Sequence, residues 1–139
     1  MVDKTLLLRK LAELEEYLRQ IKEYANVNVE QYSKDWRVQR IVERTLQMMI
    51  ELCADIAGHI ISDRGYRVPT SYADTFRVLC EKEILTKELF ETMEKMSKFR
   101  NMIVHHYDHV DSEIVVSILR KDLDDFLVFK NIIINLLNQ

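Results

Sequence analysis

Asp35-Trp36-Arg37-Val38-Gln39-Arg40-Ile41-Val42-Glu43-Arg44-Thr45-Leu46-Gln47-Met48-Met49-Ile50-Glu51-Leu52-Cys53-Ala54-Asp55-Ile56-Ala57-Gly58-His59-Ile60-Ile61-Ser62 decides the fold. Ile41, Thr45, Met48, Leu52, Ile56 and Ile60 recur at three- and four-residue steps, which predicts a long helix with one side turned to a core. Such a helix is the spine of the molecule. Downstream, Asp63-Arg64-Gly65-Tyr66-Arg67-Val68-Pro69 holds the chain's one proline and one of its two glycines, so the chain reverses there. Ser71 followed by Asp74 is a capping arrangement for a short helix ending near Glu81, and Thr86 caps another that carries Leu89, Phe90, Met93, Met96 and Phe99 toward Arg100. Asp108 to Asp111 breaks the pattern. A last helix then starts at Asp111 or Ser112, with Val115, Ile118, Leu119, Leu123, Phe126, Phe129 and Ile133 on its buried face. Upstream, Leu7, Leu11, Leu14, Leu18 and Ile21 mark an amphipathic first helix from about Leu6 to Tyr24, whereas Asn26 to Lys34 is polar and lacks the period.

These segments predict an all-α antiparallel bundle of about five helices in one domain spanning residues 1–139. Leu, Ile, Glu, Lys and Met are plentiful, and few positions favour tight turns. The formal net charge of −3 argues against a broadly basic nucleic-acid coat and leaves room only for focal binding through a local cluster of arginines. Cys53 and Cys80 match no metal-binding spacing and read as reduced thiols. The amino-terminal run Leu6-Leu7-Leu8 and the tail from Phe126 to Leu137, interrupted by Lys130 and Asn131, make neither a signal peptide nor a membrane span. The expected location is cytoplasmic.

The chemistry concentrates in Arg100-Asn101-Met102-Ile103-Val104-His105-His106-Tyr107. An arginine that clamps a phosphate and a histidine that moves a proton near neutral pH suffice to cleave RNA without a metal. On a continuous helix Asn101 and His105 share a face, so the amide can orient the imidazole, and Arg100 and Tyr107 are two turns apart on nearly the same face. Arg100 and His105, by contrast, point about 140° apart. Either the helix deforms near His105 or a second copy of the chain completes the site, which is the argument for a homodimer. The other reading of the cluster is a set of ordinary helix-end residues.

Arg37, Arg40 and Arg44 lie on one helical stripe beside Gln47 and Glu51, either as a solvated, ion-paired face or as an edge that tracks an RNA backbone. His105 and His109 have a metal-compatible spacing, but no carboxylate-histidine pattern of a helical metal centre accompanies them, so no metal is expected. Asp55 and His59, also four apart, read as a local hydrogen bond. With no glycine-rich phosphate loop and no serine-nucleophile elbow, nucleotide hydrolysis and serine-esterase chemistry have no support, and no cofactor is expected.

The run of Arg100-Asn101, His105 and Tyr107 resembles the signature of the HepT-like toxin ribonucleases of the HEPN superfamily. Gln39 to Arg44, Ile50 to Ala57, Pro69 and Phe76-Arg77-Val78-Leu79 extend that resemblance over most of the chain. It implies a metal-independent endoribonuclease toxin of a type VII-like toxin–antitoxin pair, with Arg100, Asn101 and His105 catalytic and RNA as substrate. It further implies a cognate minimal nucleotidyltransferase antitoxin that adds AMP to Tyr107 and so switches the enzyme off. The alternative within the same resemblance is a non-catalytic helical adaptor that binds a nucleotidyltransferase and helps form its substrate site.

Overall fold

The computed structural model describes residues 3–139, apart from the side chain of His109. Among them it contains seven α-helices, two short 3-10 turns and no strand. α1 (Lys4–Ile21) is capped by Asp3, whose carboxylate accepts from the Leu6 amide at 3.0 Å, and it buries the five residues read from the sequence: Leu7, Leu11, Leu14, Leu18 and Ile21. A 3-10 turn over Lys22–Tyr24 follows. α2 (Val29–Lys34) occupies the stretch read as aperiodic. Its start is a capping box, with Asn28 accepting from the Gln31 amide at 2.7 Å and the Gln31 side chain accepting from the Asn28 amide at 3.3 Å. Six residues make less than two turns, too few for a period to show; a single buried side chain, Tyr32, anchors them.

α3 (Trp36–Asp63) is the spine, and Asp35 caps it by accepting from the amides of Arg37 and Val38. Its buried face is rotated and broader than the predicted stripe. Thr45, Ile56 and Ile60 are buried as expected and Met48 and Leu52 are half-buried, but Ile41 is 48% exposed. Val42, Leu46, Met49, Ile50, Cys53, Ala54, Ala57 and Ile61 are buried instead. The cause is that α1, α2, α4 and α5 all pack against this one helix, so more than one side of it meets a neighbour.

After Gly65, which takes the left-handed conformation at φ 66°, the loop delivers Ser71 as the cap of α4 (Tyr72–Glu81). Thr86 caps α5 (Lys87–His105) by accepting from the Leu89 amide at 3.1 Å. A 3-10 turn at Tyr107–His109 leads to α6 (Ser112–Lys121) and α7 (Leu123–Leu137). The single last helix read from the sequence is thus two, and together with α2 this raises the predicted five helices to seven. Neither proline nor glycine marks the break. It falls at Asp122, whose carboxylate reaches the Lys95 ammonium of α5 at 2.9 Å. Every apolar residue predicted for the last helix is nonetheless buried.

One contiguous apolar cluster runs from Leu7 to Ile133 and draws on all seven helices. Phe76 of α4 and Phe129 of α7 meet edge to face at 6.1 Å within it. Cys53 is buried and Cys80 half-buried, both as free thiols, and burial pushes the Cys53 thiol well above its ordinary pKa, so it is inert. Among the described residues no helix is long and apolar enough to cross a membrane. The packing of α5 between α4 and α3 fixes where the polar cluster lies.

Candidate active site

α5 stays a regular helix through His105 and stops at His106, whose backbone leaves the helical region (φ −135°, ψ 45°) while its amide still donates to the Met102 carbonyl at 2.7 Å. The helix therefore does not deform between Arg100 and His105, and the two side chains keep their separation of about 140° around its axis. Tyr107 lies beyond the helix end, in the 3-10 turn, so the expected two-turn alignment with Arg100 does not apply. What the two share is a neighbour: both lie against α3.

Arg100 is the anchored member, with only 18% of its side chain exposed. Its guanidinium stacks over the Tyr72 ring of α4 at 4.6 Å, lies 3.7 Å from a Glu51 carboxylate oxygen of α3, and donates to the Asn101 Oδ1 at 3.2 Å. Gln47 in turn donates to Glu51 at 3.4 Å. The Arg100 Nε is buried without a hydrogen-bond partner. Asn101 and His105 are exposed, and the amide oxygen engages Arg100 instead of orienting the imidazole as the four-residue spacing suggested.

Tyr107 is 76% exposed and lines a groove of about 400 Å³ with Ile103 and with Gln39, Arg40, Glu43, Arg44 and Gln47 of α3. Two of the three arginines of the predicted stripe, Arg40 and Arg44, thus border the same groove as the tyrosine. Arg37, at the start of α3, lies outside it with its guanidinium 5.4 Å from the centre of the Trp36 ring. Glu43 accepts from the Tyr32 hydroxyl at 3.4 Å, and burial raises its pKa. Asp55 pairs instead with Lys10 at 2.6 Å and lies 3.7 Å from His59, too far for the hydrogen bond expected of those two residues. Among the described residues no three His, Cys, Asp or Glu side chains gather as metal ligands; the His109 side chain, one half of the weighed histidine pair, lies outside the described atoms.

Sequence reading missed Tyr72 and the pairing of Glu51 with Arg100. Glu51 was legible as a member of the α3 stripe; Tyr72 carries no local signal, because only the packing of α4 on α5 brings it under the guanidinium.

A helical bundle that fixes a guanidinium near the end of one helix, sets an exposed imidazole beyond it and runs arginines alongside has the parts of a HEPN-type ribonuclease. The family model described as Ribonuclease HepT-like matches residues 14–133, and the chain belongs to that family. It is similar to the mRNA nuclease HepT of Shewanella oneidensis, with 30% identity over 92% of this chain and 96% of that one. Similarity to the tRNA nuclease HepT of Aphanizomenon flos-aquae is 33% identity over 68% of this chain and 65% of that one. In three dimensions it matches the tri-AMPylated Shewanella oneidensis HEPN toxin solved in complex with MNT antitoxin, at a TM-score of 0.86 and 30% identity, covering 97% of this chain and 99% of that one. The chain is an endoribonuclease of the toxin–antitoxin class.

Proposed function

We propose that the enzyme cuts RNA without a metal ion by internal transesterification, through Arg100, Asn101 and His105. The observation that carries this reading is the contrast within α5: Arg100 is held from three sides, while His105 stands exposed at the helix end. In the reaction, the ribose 2′-oxygen attacks the adjacent phosphorus as His105 takes its proton, and the bond to the 5′-oxygen breaks. The leaving 5′-oxygen takes its proton from solvent water as that bond breaks. Arg100 stabilises the charge gathering on the phosphoryl oxygens through paired hydrogen bonds, with Asn101 beside it. The products are a 2′,3′-cyclic phosphate and a free 5′-hydroxyl. DNA, lacking the nucleophile, is not cut.

The undeformed helix supports a homodimer as the working unit, because one copy does not converge Arg100 and His105 on one phosphate. The exposure of Tyr107 supports its role as acceptor of AMP from a cognate nucleotidyltransferase antitoxin, the partner class named in the structure of the Shewanella oneidensis relative. An adenylyl group there adds a negative phosphate and a bulky nucleoside to the groove bordered by Arg40 and Arg44, where substrate backbone would lie.

The test is incubation of the unmodified protein and of His105→Ala with a defined RNA in EDTA, with chemical identification of the fragment ends. Cleavage by the wild type alone, leaving cyclic phosphates, is expected. Cleavage by both proteins would remove His105 from the chemistry, and cleavage that needs an added divalent ion would overturn the metal-independent mechanism.

A further inference from the structure

Trp36 is the chain's one tryptophan, and it is 61% exposed at the first position of α3. Burying an indole is among the largest apolar gains open to a side chain, and this one is left in water. Its surroundings are not apolar: the guanidiniums of Arg37 and Arg40 lie 5.4 and 6.0 Å from the ring centre. At 100° per residue Trp36, Arg40, Glu43, Arg44, Gln47 and Glu51 fall within an arc of about 100°, and Arg37 widens it to about 120°. This face runs about 22 Å, from the indole past the Tyr107 groove to Glu51, where Arg100 is docked. The carboxylates along it have internal partners: Asp35 caps the helix, Glu43 accepts from Tyr32 and Glu51 pairs with Arg100. An aromatic face followed by a line of guanidiniums is the chemistry that holds a single nucleic-acid strand, stacking a base at one end and neutralising phosphates along the way.

We infer that Trp36 is a base-stacking platform for single-stranded RNA, seating one base on the indole and leading the backbone along Arg37, Arg40 and Arg44 toward Arg100. This assignment rests on the nuclease reading for its destination. It gives the enzyme a substrate-binding residue well away from the scissile bond, and a preference for unpaired RNA, since a base inside a duplex does not offer its face to an indole.

Because the tryptophan is unique, its emission reports on this site alone. The full-length protein in EDTA is titrated with a single-stranded 2′-O-methyl oligoribonucleotide, which lacks the nucleophile, while fluorescence anisotropy of a label on the same oligonucleotide measures binding. A saturable change in Trp36 emission that follows the anisotropy is expected. Trp36→Ala should weaken binding about tenfold or more, and Trp36→Phe should recover most of it. Both variants are checked by circular dichroism for an unchanged helical signal. Emission that stays fixed while anisotropy reports binding, or Trp36→Ala binding as tightly as wild type, overturns the platform. So does emission that responds only to the nucleotidyltransferase antitoxin, which would make this a protein-docking face. The two readings fail separately. Trp36-dependent binding with ordinary RNA left intact keeps the platform and removes the nuclease mechanism, whereas cleavage by Trp36→Ala at the wild-type rate does the reverse.

Discussion

Arg100 spends its side chain on protein contacts as much as on any ligand. A stacked ring on one side and a carboxylate on another hold the guanidinium plane in one orientation, which is the condition for a donor array to meet charge as it develops on a phosphoryl group without first reorganising. Lysine keeps the positive charge but has neither the flat surface that lies on Tyr72 nor the fork that reaches two oxygens at once. Arg100→Lys is therefore expected to slow RNA cleavage by roughly 100-fold, the scale of losing a positioned oxyanion donor, while the melting temperature stays within a few degrees of wild type. Single-turnover rates beside a thermal melt make the check, and a near-wild-type rate would mean that charge alone suffices. The sequence marked Arg100 as a candidate phosphate ligand because residue type carries that information. Its support was not legible, since Tyr72 is far along the chain and arrives through the packing of α4 on α5.

Among the elements, the loop before α4 shows how a helix is tied down from outside. Arg67 donates to both carboxylate oxygens of Asp74 in the first turn of α4, at 2.8 and 2.9 Å, and to Glu81 in the last turn at 3.0 Å, so one side chain clasps the helix at both ends. Thr70 adds two more donors to Asp74, at 3.0 and 3.2 Å. The Arg67 hydrogen bonds, ahead of those from Thr70, hold the Asp74 carboxyl well below the usual carboxylate range. A carboxylate whose folded pKa is depressed contributes stability that is fully present above its unfolded pKa of about 3.9 and is lost as pH falls from there toward the folded value. Asp74→Asn should accordingly cost roughly 2 kcal/mol at neutral pH, the scale of hydrogen bonds to a charged group. The gap between the two melting curves should hold down to about pH 5 and close progressively below about pH 4. Thermal melts across pH 3–7 decide it, and a gap that did not narrow in acid would assign the cost to packing instead of charge. Sequence reading placed this helix correctly because Ser71 and Asp74 are local signals, and it found α1, α3 and α5 because each repeats its period over several turns. It joined α6 to α7 because the apolar period passes through Asp122 unbroken, while the Lys95 ion pair found at the break belongs to another element. The Asn28 and Gln31 capping box could have revealed α2; no apolar period followed to draw the eye to it.

At the scale of the whole molecule, a net charge of −3 leaves the arginines on one face of α3 as a local cluster, two of which border the groove of Tyr107 beyond the end of α5. The same scale decides how the site is completed. In the proposed mechanism the catalytic groups diverge on one regular helix, and pairing that helix with a second copy is the route that brings them to one phosphate. If one phosphate is served by Arg100 of one subunit and His105 of the other, the defects of Arg100→Ala and His105→Ala complement each other. In a mixed dimer one composite site keeps both residues while the other loses both. Random pairing puts half the dimers in that mixed form with one of two sites intact, so co-expression of the two variants in equal amounts should restore about a quarter of wild-type cleavage, although each variant alone is nearly inactive. The measurement is cleavage of a defined RNA by the unfractionated mixture of dimers, compared with each variant alone. Activity that stays at the level of the single variants would show that Arg100 and His105 of the same subunit act together. The 140° between them would then have to be spanned by side-chain reach or by the RNA itself.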